Sequence, residues 1–380
     1  MSDNVRGYVK PGFEHVRDVF AQNFEKGEEL GAGFAAIQDG EVLVDLQGGF
    51  ADRAKKQIWD ERTLVPIYST TKAISAFVVA YVLSQSDRYS HESKMTEFWP
   101  EFGAAGKEAL SIGDVLSHQG GLPGFKDEFN PSLWLDPVGL SAKLAETEPL
   151  WSPVPDGTSG YHPLTWGYLA GEIVRRIAGK SLGTVLAEVI TGTAGDAPDI
   201  DFWIGTPESE HDRCADIQRP KELPELGPIN DFKKAAFMTK WASPNRGGPE
   251  WRKTEIPSAN GHGTAKSVAQ LYAGFAQGGR IGDTQFLDEE SWEGLTRQRT
   301  FGPDRVLPFE IEFAAGVMRN SSEFYGPNHN SFGHSGWGGS AALGDPDLKL
   351  SAAYVMNRQS NKLQADPRGQ RLFAALYDCI

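Results

Sequence analysis

The chain has 380 residues, enough for two domains or for one large domain carrying an insertion. Apolar residues make up 39% of it and aromatic residues 11%, so a sizeable core is available and global disorder is excluded. The formal net charge of -14 repels phosphate backbones and anionic lipid, which sets nucleic acid and acidic membranes aside as partners and favours solubility.

In chain order, "GFEHVRDVFAQNFEKG" (12–27) places Phe13, Val16, Val19, Phe20 and Phe24 at helical spacing. "GAGFAAIQDGEVLVDLQGGFAD" (31–52) changes period: two apolar runs flank Asp39-Gly40, a hairpin signal. The opening therefore reads helix, strand, turn, strand. Further helices are predicted over 70–85, 112–118, 138–146, 164–178, 181–190 and 264–277, with Gly179 as a C-terminal stop after "GEIVRRIA". Segments 119–137, 149–163, 191–232 and 241–262 are Gly/Pro/Asp-rich connections, and loops this long tend to line a site. "EFAAGVMRN" (312–320) reads as a strand and 331–359 as two or three strands turning at "GDPD" (344–347). "ADPRGQRLFAALYDCI" closes the chain as an amphipathic helix. Strands at both ends predict an α+β protein. Residues 1–75 and 300–380 form an antiparallel sheet part, 76–299 a mainly helical insertion, and the site lies between them.

The stretch "MSDNVRGYVKPGFEHV" shows no signal-peptide core. The longest apolar run, around 74–83, is about ten residues against the roughly 20 of a membrane span. Cys214 and Cys379 form no CxxC motif and read as reduced thiols. A cytoplasmic protein is expected. A homo-oligomer is neither required nor ruled out by any visible pattern.

The chemistry starts at "PIYSTTKAISAFVVAYVL" (66–83). Ser69 and Lys72 stand at i and i+3, on one helical face, and Lys72 is the only lysine with serine at minus three. A serine hydroxyl needs a base to become a nucleophile. A lysine can be that base once burial depresses its pKa, and the following run is apolar on all sides. Taken alone, the pattern also fits a capped helix start beside a snorkelling lysine. Tyr161, ending a Pro/Gly-rich loop before a helix, is either a wall residue or a proton shuttle. "FGHSGWGGS" (332–340) is either a Gly-rich bulge or an edge offering backbone N–H groups to a ligand.

Ser-x-x-Lys, a Tyr motif, and His334-Ser335-Gly336 near the C-terminus occur in an order that resembles serine β-lactamases and penicillin-binding proteins. The pattern is most similar to the class C β-lactamase fold as used by family VIII carboxylesterases, from about 12 to 378. Supporting stretches are "LSHQGGLPG" (116–124), "GYHPLTWGYLAGEIVRRIAGKSLG" (160–183) and "SANGHGTAKSVAQLYAGFAQGG" (258–279). The resemblance implies a β-lactamase-like fold with Ser69 as the acylated nucleophile. Lys72 and Tyr161 share acid and base duty, and the backbone N–H groups of Ser69 and Trp337 form an oxyanion hole. It implies no cofactor and no metal. His162, His334, Ser335, Gly336, Trp337, Trp151 and Phe125 are the expected substrate contacts.

Three departures bear on substrate. Tyr161-His162-Pro163 stands where Tyr-x-Asn is usual, His334-Ser335-Gly336 where Lys-Thr-Gly is, and bulky Trp337 where a small residue is. A neutral imidazole at 334 binds a carboxylate weakly. These changes favour a carboxylesterase acting on a small neutral ester over a β-lactamase or a D-aminopeptidase-like amidase. A non-catalytic binding or filament-forming relative is the remaining alternative. Two chemistries are excluded: Gly-x-Ser-x-Gly is incomplete at 333–337 and 338–342, and no HExxH is present.

Overall fold

Residues Leu350–Met356 divide their side chains between two cores: Leu350, Ala352, Tyr354 and Met356 to one side, Ala353 and Val355 to the other. That is the period of two expected of a strand covered on both faces. The structure, a computed structural model, describes residues 4–193, 200–238 and 247–380. Parts of two predicted connections, 194–199 and 241–246, lie outside the described residues.

The chain runs β1 (Val5–Val9), α1 (Glu14–Glu25), β2 (Gly31–Gln38), β3 (Glu41–Gly49), β4 (Val65–Pro66) and α2 (Thr71–Ser84). The middle carries α3 (Ile112–Leu116), α4 (Pro137–Glu146), α5 (Thr165–Ala178), α6 (Leu182–Val185), β5 (Phe202–Trp203), α7 (Asp231–Phe237), α8 (Pro249–Lys253), β6 (His262–Gly263) and α9 (Ala265–Ala276). The chain closes with β7 (Arg280–Ile281), β8 (Thr284–Gln285), α10 (Glu289–Thr296), β9 (Met318–Arg319), β10 (Phe332–Ser335), β11 (Ala341–Asp345), β12 (Leu350–Met356) and α11 (Pro367–Tyr377).

Seven strands pair in the order β1-β3-β2-β12-β11-β10-β9, each neighbour antiparallel. The two ends of the chain thus meet at the β2–β12 pairing, as expected of an α+β fold with one sheet built from both termini. Helices α1 and α11 bury Phe20, Leu372 and Phe373 against Phe34 and Tyr354 on one face. Helix α9 covers the other face, where the strands carry small residues. A Cβ at Gly33 would come within 3.1 Å of Ala265, and one at Gly344 within 2.7 Å of Phe275. The small side chains let α9 lie close to the sheet, although α9 falls inside the predicted helical segment 76–299.

Three local expectations change. An additional edge strand, β1, precedes α1 and pairs with β3. Only Met318–Arg319 of the predicted strand 312–320 joins the sheet, because the chain turns first: Ala314 donates to Val317 O (2.9 Å) and Gly316 sits at φ 91°. Helices α7 and α8 contribute to or interrupt stretches read as connections, being too short for a periodic signal. Among the described residues no helix is long and apolar enough to cross a membrane.

Candidate active site

Helix α2 is buried nearly all round, and the turn that delivers it fixes Ser69. Tyr68–Thr70 form a tight turn ahead of the helix, with Tyr68 in the left-handed region at φ 48°. For a non-glycine residue that conformation costs about 1–3 kcal/mol and persists only where the surroundings impose it. Here Ile67 donates to Gly261 O (2.9 Å), Ser340 Oγ donates to Ile67 O (2.7 Å), and Tyr272 Oη donates to Thr70 O (2.8 Å). A Cβ at Gly336 would stand 2.2 Å from Ile67 O, so only glycine lets the β10–β11 connection approach this turn.

Lys72 is fully buried, and its Nζ lies 3.1 Å from Ser69 Oγ, 2.8 Å from Pro163 O and 3.0 Å from Ser258 O. No carboxylate is among these partners. Burial drives its pKa well below the usual lysine value, which favours the neutral amine. A neutral amine has two N–H bonds and one lone pair. In that form it can donate to the two carbonyls and turn its lone pair to the Ser69 hydroxyl. Tyr161 stands beside Ser69 at the cavity, and its ring centroid is 4.8 Å from Lys72 Nζ. Burial pushes the Tyr161 phenol above its ordinary pKa, so it keeps its proton.

The backbone around Tyr161 is held by Asp304, which no sequence pattern singled out. This buried carboxylate accepts from Ser159 Oγ (2.6 Å), Tyr161 N (3.1 Å), Val306 N (2.8 Å) and Leu307 N (2.7 Å). Its only sequence signal is a position in the turn "GPDR", which reads as surface. The Tyr161 ring stacks on Phe313 at 6.1 Å and meets His118 at 4.8 Å.

A cavity of about 210 Å³ opens over Ser69 and Tyr161. Ser335 and Trp337 form part of its wall, and Gly336 supplies the turn between them. Among the described residues the Trp337 amide has no protein acceptor. The other expected contacts are not brought to the cavity. His162 is fully buried: its Nδ1 meets Gly160 O (2.6 Å), and its Nε2 accepts from Leu122 N (2.8 Å). His334 is also buried behind Tyr161, and burial lowers its pKa to about 3, so it is neutral. Trp151 packs on His162 and Phe232, behind the Tyr161 loop. Phe125 stacks with Phe129 and Trp134 in the helical core. The wall that sequence reading missed is Leu223, Phe237, Phe309 and Leu363. Leu223, 81% exposed in a polar connection, is the one with a visible signal.

The beta-lactamase family model matches residues 16–376. The chain belongs to the beta-lactamase family. Over 99% of its length it is 32% identical to the esterase/beta-lactamase LipL of Mycobacterium tuberculosis, covering 88% of that protein. A penicillin-binding protein homologue from Caulobacter crescentus superposes with a TM-score of 0.94 and 46% identity, over 99% of this chain and 100% of that one. A family VIII carboxylesterase superposes with a TM-score of 0.90 and 35% identity, again over 99% and 100%. In this beta-lactamase-family chain Cys214 and Cys379 are free thiols, and burial raises the pKa of Cys214 to about 11. Among the described residues no group of three His, Cys, Asp or Glu side chains converges on a metal-sized space.

Proposed function

We propose that the chain is a serine carboxylesterase that cleaves small neutral esters through an acyl-enzyme. The observation that carries this reading is the cavity wall: among the described residues no Lys, Arg, His, Asp or Glu lines it. A substrate carboxylate would lose its hydration there without a counter-charge. A volume of about 210 Å³ lies below the roughly 300–1,000 Å³ of drug-sized sites, which suits a short acyl group. The printed names of LipL and of the family VIII carboxylesterase point the same way.

In this mechanism Ser69 Oγ attacks the ester carbonyl as its proton passes to Lys72 Nζ. The amides of Ser69 and Trp337 stabilise the oxyanion. Collapse breaks the ester bond, and the alcohol leaves with a proton from Tyr161, which Lys72 replaces. Water then adds to the acyl carbon, its proton passing to Tyr161 and Lys72. Ser69 Oγ leaves with a proton, releasing the acid and restoring the neutral amine. The free thiols support a cytoplasmic setting as part of the same proposal.

Two measurements test it. A fluorophosphonate should leave one adduct, on Ser69, by intact-mass and peptide analysis; an adduct elsewhere, or none, overturns the mechanism. p-Nitrophenyl butyrate should show a higher kcat/KM than a chromogenic cephalosporin. The reverse ranking would make the protein a β-lactamase, the reading that LipL's double name keeps open.

A further inference from the structure

A second cavity, of about 170 Å³, lies on the other side of Tyr68, which forms part of both walls. Trp251 completes the partition, with ring centroids 6.4 Å from Tyr68 and 5.7 Å from His262. The chemistry changes across it. Among the described residues the substrate cavity has no charged wall residue, whereas this one is lined by Arg53, Arg219, Arg252 and His262, with Asp216 as the one carboxylate.

Arg53 donates to Ile217 O and Arg252 donates to His211 O (3.4 Å). Among the described residues none of the three arginines forms an ion pair, while nearby Arg213 pairs with both Asp201 and Glu210. The chain has 51 acidic residues against 37 lysines and arginines, so three unpaired guanidinium groups around one hollow are not a shortage of partners. Two buried nitrogens are also unsatisfied among the described residues. Arg252 Nε has no acceptor. His262 is fully buried and its Nδ1 donates to Asn260 O (2.8 Å), which leaves Nε2 as an acceptor with no donor. An unmet buried donor such as Arg252 Nε costs about 1–3 kcal/mol, which a bound acceptor would recover, while an O–H on the ligand would meet His262 Nε2.

We propose that this cavity binds a small phosphate-type anion at a site separate from the substrate cavity. Guanidinium groups match tetrahedral oxyanions through charge-assisted, forked hydrogen bonds. Arg53 and Arg219 are exposed and give the anion a route from solvent, while Arg252 supplies the deeper contact. Asp216 favours an anion that carries its own O–H, a hydrogen phosphate or a phosphomonoester, over a plain carboxylate. The bound anion would rest against Tyr68, the strained residue that precedes Ser69.

Calorimetric titration of the full chain with inorganic phosphate at low ionic strength tests this. One saturable site is expected, weakening as salt rises. Arg219→Gln, at an exposed position, and Arg252→Gln should each weaken binding about tenfold or more, the loss of one charge-assisted contact. Protein labelled at Ser69 by a fluorophosphonate should bind phosphate unchanged. Competition by glycerol 3-phosphate identifies the ligand as extending to monoesters; its failure confines the ligand to the free ion, with the site standing in either case. No saturable binding, unchanged affinity in Arg219→Gln, or loss of binding on Ser69 labelling would each overturn the proposal.

Discussion

Lys72 and Arg368 are both buried cationic side chains, and their surroundings are opposite. Lys72 meets two carbonyls and a hydroxyl. Arg368 meets two carboxylates, Glu29 at 3.0 Å and Asp366 at 2.8 Å, and also donates to Gly338 O and Arg358 O. Burial disfavours the charged form in both. At Arg368 that effect is outweighed by the carboxyl groups of Glu29 and Asp366, which hold the guanidinium firmly protonated. At Lys72 no carboxylate opposes burial, and the amine's pKa is driven well below its usual value. The same desolvation therefore leaves a structural tie at one site and, at the other, an amine suited to the base role proposed for it. The difference lies in whether the fold supplies a carboxylate.

The sharpest way to break this contrast is substitution by methionine. Lys72→Met should lower kcat/KM for p-nitrophenyl butyrate about 10⁴-fold or more, as should Ser69→Ala, because each is part of one acting unit. Its unfolding free energy should fall by only about 1–3 kcal/mol, since two carbonyls lose a donor but no charge is left unpaired. Arg368→Met should lose about 3–5 kcal/mol in denaturant titration, because Glu29 and Asp366 are stranded. Equal stability losses in the two variants would erase the distinction.

Smaller effects sharpen it. Asp304→Asn keeps an acceptor but not the carboxylate that gathers four hydrogen bonds around the Tyr161 loop. Its kcat should fall about 10²-fold with KM little changed, the scale of a misplaced catalytic group. A matching loss in KM would show a binding role instead. The pH profile of kcat/KM should have an acid limb only. Lys72 has a depressed folded pKa, so activity falls as pH drops through that value and stays level above it. Tyr161 is pushed up, so no alkaline decline should appear below about pH 10. Trp337→Ala should have the smallest effect, shifting chain-length preference toward longer acyl groups by about tenfold in relative kcat/KM, the scale of methylene discrimination.

Much of this was open to reading along the chain. The alternation in 31–52 and 331–359 announces strands that do form, and the two arms do pair across β2 and β12. Ser69 and Lys72 are one turn apart by covalent spacing, and their nearness to Tyr161 is what the motif order implied. The pocket contacts were less legible. His162 and His334 sit beside motif residues in sequence, yet their side chains point into packed backbone rather than to the cavity. Phe309 and Leu363 sit far from any motif and still line it.

The sequence by itself determined the longer elements and the Ser69–Lys72 spacing, because both depend on local periodicity and on residues within one helical turn. Only the tertiary structure decided that the Lys72 pKa is driven down. Its two carbonyl partners are 91 and 186 residues away, and the seal that excludes water comes from segments just as remote. The tertiary structure also decided that, among the described residues, the wall over Ser69 carries no charge while the cavity behind Tyr68 carries three arginines. Which loops converge on a hollow is set by packing between distant segments, and spacing along a chain does not encode it.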